Sequence, residues 1–535
     1  MKRCALLVLL CFASIASAQE TRSTLTGHVA DPSGARIPNA AITITDTDTG
    51  VVTNAKSNAA GDYTVPFLQP GTYKVVAEAP GFKSYTHTGL VLQTEQTVTE
   101  NITLPLGAVS ETVTVEGETP MVDTATASTG QTLTAEEVED LPSNGRSPLG
   151  FAHLEYGAVA KGKHAESQTT PFGNSTADDF SLGGGASSSN ELTLNGVPNM
   201  EDSSRTAGYS PYLDAVEAVH VDEFAANAAL GDSSGGTVNI TTKSGTNQFH
   251  GSGSEYYAGS RPLTAKPYFT PAGTSTSSTH FNQFGGTIGG PVVIPHVWNG
   301  RNKLFFMYAF EGYIGNAPAT TITSVPTQAE RNGDFSALLA LGPSYQLYNP
   351  YSGVYNSTTK TTTRTAIPGN ILSNAGLSIS PVAQAYLKLV PLPNYNGAST
   401  KADGENNYFA SDPTTNNYKS NEARIDLDLT HSNRLSFEGH RSDYVNSQSN
   451  IFFDPLTGTT STVILWGGSR RMFTRSARRQ TWMFVSASVA TTQTRVPTAP
   501  ASVRRLTDFL VTSPRTRLLS QFPTLRFPTA RRFQA

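Results

Sequence analysis

The sequence predicts a mainly β protein in successive parts: a small β-sandwich, a compact mixed α/β unit, and the first part of a membrane β-barrel. Three observations carry this. Before residue 107, short alternating segments such as Ala41-Ile42-Thr43-Ile44-Thr45 are punctuated by Pro/Gly/Asp turns at about 10-residue spacing. Residues 192–251 join a polar Asn195-Gly196 turn, a Val-rich segment (Val216, Val219, Val221), a Gly235-Gly236 turn and a last alternating strand with Val238 and Ile240 on one face. Beyond Gly245 the chain carries aromatics at strand spacing and no long helical pattern.

The first 18 residues read as a secretory signal peptide. Lys2 and Arg3 precede an apolar run over residues 5–15, and Ala16-Ser17-Ala18 forms a small-x-small cleavage site before Gln19. That run is far shorter than the ~20 apolar residues a spanning helix needs. Cys4 and Cys11 both lie inside the signal peptide, so a mature chain beginning at Gln19 has no disulfide and no Cys-ligated metal site. The net charge of -4 conceals an asymmetry: residues 1–466 hold 25 of the 38 Lys and Arg and 41 of the 42 Asp and Glu, a net of -16. An acidic body argues against nucleic-acid binding, which needs a basic footprint.

Residues 19–107 form the expected sandwich, with turns at Asp31-Pro32-Ser33-Gly34, Asp48-Thr49-Gly50, Ala60-Gly61-Asp62 and Gln69-Pro70-Gly71. The run GDYTVPFLQPGTYKVVAEAPGF resembles carboxypeptidase-regulatory-like domains, whose transthyretin/Ig-like fold is also grouped with carbohydrate-binding-like domains. That resemblance implies a sugar site built on exposed rings, with Tyr63, Phe67, Tyr73 and Phe82 as candidates; the alternative is that they fill the core.

Residues 108–133 link this module to the next and contain the alternating segment Glu111, Thr112, Val113, Thr114 and Val115. It suits either the last strand of the sandwich or addition to a partner's sheet edge. From residue 134, Thr134-Ala135-Glu136-Glu137 is a capping box opening a short helix that Pro142 stops. The unit it begins extends to residue 246. Gly231-Asp232-Ser233-Ser234-Gly235 fits the G-x-S-x-G of hydrolases, but that elbow requires a following helix. A glycine turn and a strand follow instead, so Ser233 reads as a turn residue. No H-E-x-x-H, phosphate loop or dinucleotide fingerprint occurs, and the ten histidines are scattered. No catalytic, cofactor or metal residues are therefore assigned, and the chain does not read as an enzyme.

Within residues 247–466, candidate strands cover 249–257, 280–288, 303–313, 421–430 and 434–444. In EARIDLDLTHSNRLSFEGH, Ala423, Ile425, Leu427 and Leu429 alternate with Arg424, Asp426 and Asp428, apolar toward lipid and polar toward a lumen. Aromatics cluster at Tyr256-Tyr257, Phe305-Phe306, Tyr308, Phe310 and Phe452-Phe453, where strand ends would meet the interface. The Thr/Asn/Gly/Pro-rich residues 314–420 suit extracellular loops.

LPSNGR, LNGVPN, YLDAVEAVHV, GDSSGGTVNITTKSGTNQFHG, FNQFGGTIGGP and VPTQAERNGDFS, in this order, resemble the Oar-like branch of TonB-dependent outer-membrane receptors. The resemblance implies a plug at residues 134–246, a TonB box at Glu111–Val115, and a TonB-type energy-coupling protein as partner. It also implies an outer-membrane barrel in contact with lipid, a periplasmic N-terminal domain, and uptake of a small or oligomeric ligand, carbohydrate among the classes. The other function the sequence allows is a surface-structural or adhesion protein whose sandwich binds polysaccharide.

After Gly467 the composition changes: 13 arginines, one acid (Asp508), and from residue 469 no Gly, Tyr, Lys or Glu. Residues 467–535 read either as a basic arm for nucleic acid or anionic lipid or, as the abrupt break favours, as text in a shifted frame, and they follow too few strands to close the barrel of about 22 that the resemblance implies. Two outcomes check these expectations. Terminal sequencing of the exported chain should begin at Gln19. Resequencing the DNA across residues 466–469 should reveal another frame that continues with alternating strands; an unaltered frame removes the shifted-frame reading.

Overall fold

The computed structural model describes residues 22–107, 112–116, 130–160, 180–186, 189–200, 207–223, 233–259, 280–317, 320–397, 400, 404–411, 414–430, 433–447, 459–474 and 490–497. The signal peptide with Cys4, Cys11 and the Ala18/Gln19 junction, Glu111, Gly231-Asp232 and Phe452-Phe453 lie outside the described residues.

The N-terminal part is a sandwich of two sheets. In the first, β1 (Ser23–Ala30) lies between β4 (Asp62–Leu68) and β7 (Thr97–Thr99), and β8 (Ile102–Thr103) also pairs with β1. The second has the order β3 (Val52–Lys56), β2 (Ala41–Asp46), β5 (Gly71–Glu78), β6 (Ser84–Leu92) and β9 (Thr112–Glu116). Period-2 alternation delivers Ile42, Ile44, Val75 and Ala77 to the interior, where they meet Leu25, Val65, Leu90 and Leu104. Gly27 is required by close approach, since a Cβ there would lie 1.9 Å from the Glu100 carbonyl oxygen.

The middle part is the mixed α/β unit. Its sheet has the order β10 (Gly130–Thr134), β15 (Val216–Asp222), β16 (Thr237–Thr242), β13 (Glu191–Leu194) and β14 (Val197–Pro198). Only β13 and β16 run parallel; the other pairs are antiparallel. Asn195 (φ 51°) and Gly196 (φ 75°) make the tight β13–β14 turn, left-handed at both positions as a two-residue hairpin prefers. The helix Ala135–Asp140 is opened by the expected capping box, with Thr134 and Glu137 bonded reciprocally, and it buries Val138. Two further short pieces, β11 (Val159–Ala160) and β12 (Phe180–Ser181), pair beside this sheet.

The third part is a meander of long antiparallel strands, β17 (His250–Gly259), β18 (His280–Pro291), β21 (Leu304–Ala317), β26 (Thr414–Thr430), β27 (Asn433–Ser447), β28 (Thr459–Thr474) and β29 (Ala490–Pro497). Short strands occupy its connections: β19 (Val293–Ile294) with β20 (Trp298–Asn299), β22 (Thr320–Thr323) with β25 (Tyr408–Ser411), and β23 (Val354–Asn356) with β24 (Thr361–Thr363). On β26 the residues Ser420, Glu422, Arg424 and Asp426 are buried whereas Ala423, Ile425 and Leu429 are exposed. That is the inverse of a soluble sheet and the pattern of one that faces lipid outward. The register lines up Phe306, Ile425 and Phe437 across three strands of the outer face.

The long connection at VPTQAERNGDFS is itself ordered. Thr327 and Glu330 form a second capping box, and Arg331 donates to the carbonyls of Leu387, Val390 and Pro391. Two sequence expectations change. Phe305 is buried on the inner face, not part of an outer aromatic band, because it is offset by one residue from Phe306 and the strand period is two. The expected boundary at Gly467 falls inside β28, whose ladder with β27 continues through it and pairs Arg470 with Phe437.

Ile44 is fully buried at the centre of the sandwich. Ile44→Ala should cost about 2–5 kcal/mol, read as faster native-state hydrogen exchange of the β2 and β5 amides; unchanged exchange would contradict this packing.

Candidate functional site

The inner face of the long sheet is polar, and the plug is seated on it. Arg146, at the end of the LPSNGR turn, donates to Asp214, and its guanidinium lies 3.9 Å from the centroid of the Tyr256 ring on β17. The Tyr212 hydroxyl donates to the other Asp214 oxygen at 2.8 Å and also meets the Ser254 hydroxyl. Its ring rests against β18, where a Cβ on Gly285 would come within 2.8 Å of it. Gln283 on β18 donates to the buried Glu311 on β21 at 2.6 Å.

A second group of contacts joins the plug to β26 and β27. The Tyr209 hydroxyl reaches Ser420 at 2.9 Å and donates to Glu422 at 3.2 Å, while its ring stacks on His440 at 4.0 Å between centroids. Asn195 donates to Glu438 at 2.7 Å, Ser244 to Asp426 at 2.7 Å, and Arg424 to both Asp426 and the Thr242 carbonyl. Burial, and then the nearby Glu422, pushes the Tyr209 phenol well above its ordinary range; burial likewise raises Tyr212. Both phenols therefore stay protonated donors across the seam.

The sandwich touches both neighbours. Asn247, where the chain leaves the plug, donates its side-chain amide to the Thr49 carbonyl and its backbone N–H to the Asp48 carbonyl. Between the sandwich and the β26–β27 turn lies a cavity of 60 Å³ bordered by Asp46, Phe67, Tyr73, Asp428 and Arg434. Arg434 is held by two bonds to Asp428, and burial raises the Asp46 carboxyl above its ordinary value. Toward the plug, Asn239 of β16 donates to Glu95 of the β6–β7 turn at 2.9 Å.

The sugar-site candidates separate on burial. Tyr63 and Tyr73 are 2% and 3% exposed, and their hydroxyls are consumed by the Glu100 and Gln69 carbonyls, so they belong to the core and form no exposed platform. Phe82 packs partly buried against the same core, while Phe67 borders the cavity with a left-handed backbone (φ 66°). The candidate TonB box, Thr112 to Val115, lies within β9, a parallel edge strand in register with Ser84 to Thr88 of β6. Ser233 donates to the Gly236 carbonyl and accepts from the Gly235 N–H, and β16 follows where an elbow would place a helix. Among the described residues, sequence reading missed the constellation of Glu95 with His220 and Asp222, of which only Asp222 and His220, two apart on a strand, are near each other in the chain.

Residues 241–518 match the outer membrane beta barrel domain, more than half of the chain. The chain belongs to that family. Its barrel domain thus runs from the last plug strand through β28 and β29, and the protein resides in the outer membrane with the sandwich on the periplasmic side. Residues 24–105 match the carboxypeptidase regulatory-like domain. The chain is 26% identical over 299 residues to the TonB-dependent transporter Oar of Myxococcus xanthus, covering 54% of this chain and 27% of that protein. It therefore spans about a quarter of the length of that relative. Among solved structures, the outer membrane transporter YddB from Escherichia coli aligns over 65% of this chain and 37% of its own at 10% identity and TM-score 0.39. The siderophore receptor PirA from Acinetobacter baumannii aligns over 68% and 43% at 12% identity and TM-score 0.31.

In this barrel family member the Arg146–Asp214 pair lies within the plug and holds the guanidinium over the Tyr256 ring of the sheet. Asp214→Ala leaves a buried guanidinium without its carboxylate, a change worth about 3–5 kcal/mol. The expected outcome is accelerated proteolysis and hydrogen exchange in β15 with exchange in β26 and β27 unaltered; equal protection in wild type and variant would show that the pair does not hold the plug.

Proposed function

We propose that the chain acts as a TonB-dependent outer-membrane receptor that takes up a ligand through its barrel. The observation that carries this reading is the seam between plug and sheet. Among the described residues it consists of separate polar contacts at Asn195, Tyr209, Tyr212 and Ser244 and the Arg146 guanidinium over Tyr256, with a small apolar cluster of Tyr212, Ala215, Met307 and Ala309. A seam of hydrogen bonds beside a lumen that water enters can be exchanged one bond at a time, whereas a large dry interface must open as a whole. The Oar relationship supports the same reading.

Thr112 to Val115 are the proposed contact for the energy-coupling protein. As β9 they use one backbone edge on β6, and among the described residues no strand pairs with the opposite edge, the one that strand addition would use. Pulling on this segment draws directly on the linker that enters the plug at β10. No catalytic role is proposed for any residue.

The competing reading is a surface protein whose sandwich grips polysaccharide. Deleting residues 111–115 from the gene in its host separates the two. Ligand-dependent growth should be lost while the protein still reaches the outer membrane and surface adhesion is unchanged. Loss of adhesion with growth intact would overturn the receptor reading.

A further inference from the structure

Glu95, His220 and Asp222 come together where the sandwich meets the plug. His220 and Asp222 are two apart on β15 and so share a face; Glu95 arrives from the β6–β7 turn, 125 positions earlier in the chain. The His220 Nε2 lies 3.3 Å from Asp222 Oδ2 and 3.6 Å from Glu95 Oε2, and one ligand atom from each residue falls within 4.8 Å of the others.

Neighbouring strands orient these groups. On β10, the Thr132 hydroxyl meets His220 Nδ1 at 2.7 Å, which turns Nε2 toward the carboxylates. On β16, Asn239 is paired with His220 in the ladder and bonds Glu95 Oε1, which leaves Oε2 facing the imidazole. Asp222 is 6% exposed, and its Oδ1 is buried without a hydrogen-bond partner. Besides Asp222 and Glu95, Glu155 also acts on the imidazole, and Glu223 and Asp222 act in turn on Glu155. Two carboxylates thus face the imidazole and surround this point with negative charge.

We propose that Glu95, His220 and Asp222 form a site for one divalent cation of the zinc type, which pins the sandwich to the plug. Zn–N and Zn–O bonds of about 2.0–2.2 Å in a tetrahedron require ligand atoms about 3.4 Å apart, the separation that His220 makes with each carboxylate. An imidazole with two carboxylates suits zinc; magnesium and calcium prefer oxygen alone. Thr132 and Asn239 are the outer residues that hold the ligands in place. The three protein ligands leave a fourth position for water. The inference does not use the transport reading, because it rests on three side chains where the sandwich meets the plug.

The test is zinc binding to the untagged, metal-stripped full chain in detergent, by calorimetry, with magnesium as the comparison ion. One zinc per chain is expected, with added protection from hydrogen exchange at residues 93–96 and in β15. His220→Ala should weaken binding by at least about 100-fold, and Thr132→Val, which leaves all three ligands in place, by about 10–100-fold. Should His220→Ala fail to fold, Thr132→Val and the wild-type exchange pattern decide. Absence of zinc binding, equal binding by His220→Ala or by a folded Thr132→Val, or protection appearing elsewhere in the chain would each overturn the proposal.

Discussion

The structure depends on one constraint: a sheet whose outer face is apolar must hide its polar face from lipid. On β26 and β27 the inner face holds Glu422, Arg424, Asp426 and Glu438, all buried. Charges so placed are tolerated only when each finds a partner. Arg424 takes Asp426 and the Thr242 carbonyl, Asp426 also accepts from Ser244, Glu422 from Tyr209, and Glu438 from Asn195. Every one of these sets includes a plug residue, so the sheet and the plug satisfy one another. The plug in turn needs no large apolar interface with the sheet, because its own core, including Leu192, Val219, Val238 and Ile240, closes within itself.

The sandwich is held by a similar division. Its core is self-contained, and its outward contacts among the described residues are polar; they include Asn247 to Thr49 and Asp48, Asn239 and His220 to Glu95, and the Arg434–Asp428 pair beside Asp46 and Tyr73. Interfaces built this way resemble transient contacts between domains more than a continuous core. Three bodies, each with its own apolar interior, are therefore joined at polar seams.

Much of this was legible in local pattern. Alternation along Ala41 to Thr45 and along β26, the Asn195-Gly196 turn, and the Thr134–Glu137 capping box each report a property of residues within a few positions of one another. Period two also divides each strand into two faces. It does not say which face meets another layer, and so Tyr63 and Tyr73, legible as a ring set, turn out to be core. For the same reason Phe305 and Phe306, adjacent in an aromatic cluster, point to opposite sides.

By itself the sequence determined the class of each part: turn spacing made a sandwich, mixed periodicity made the plug, and polar-apolar alternation in long strands made a membrane sheet. Tertiary structure alone decided what those parts do to each other. It set the TonB-box candidate on the edge of β6, and it passed the β28 ladder through the composition break at Gly467. It also carried Glu95 to His220 and Asp222 across 125 positions. Backbone periodicity is a near-neighbour property, whereas a contact between domains is fixed by the packing of whole surfaces, which no short stretch of chain encodes.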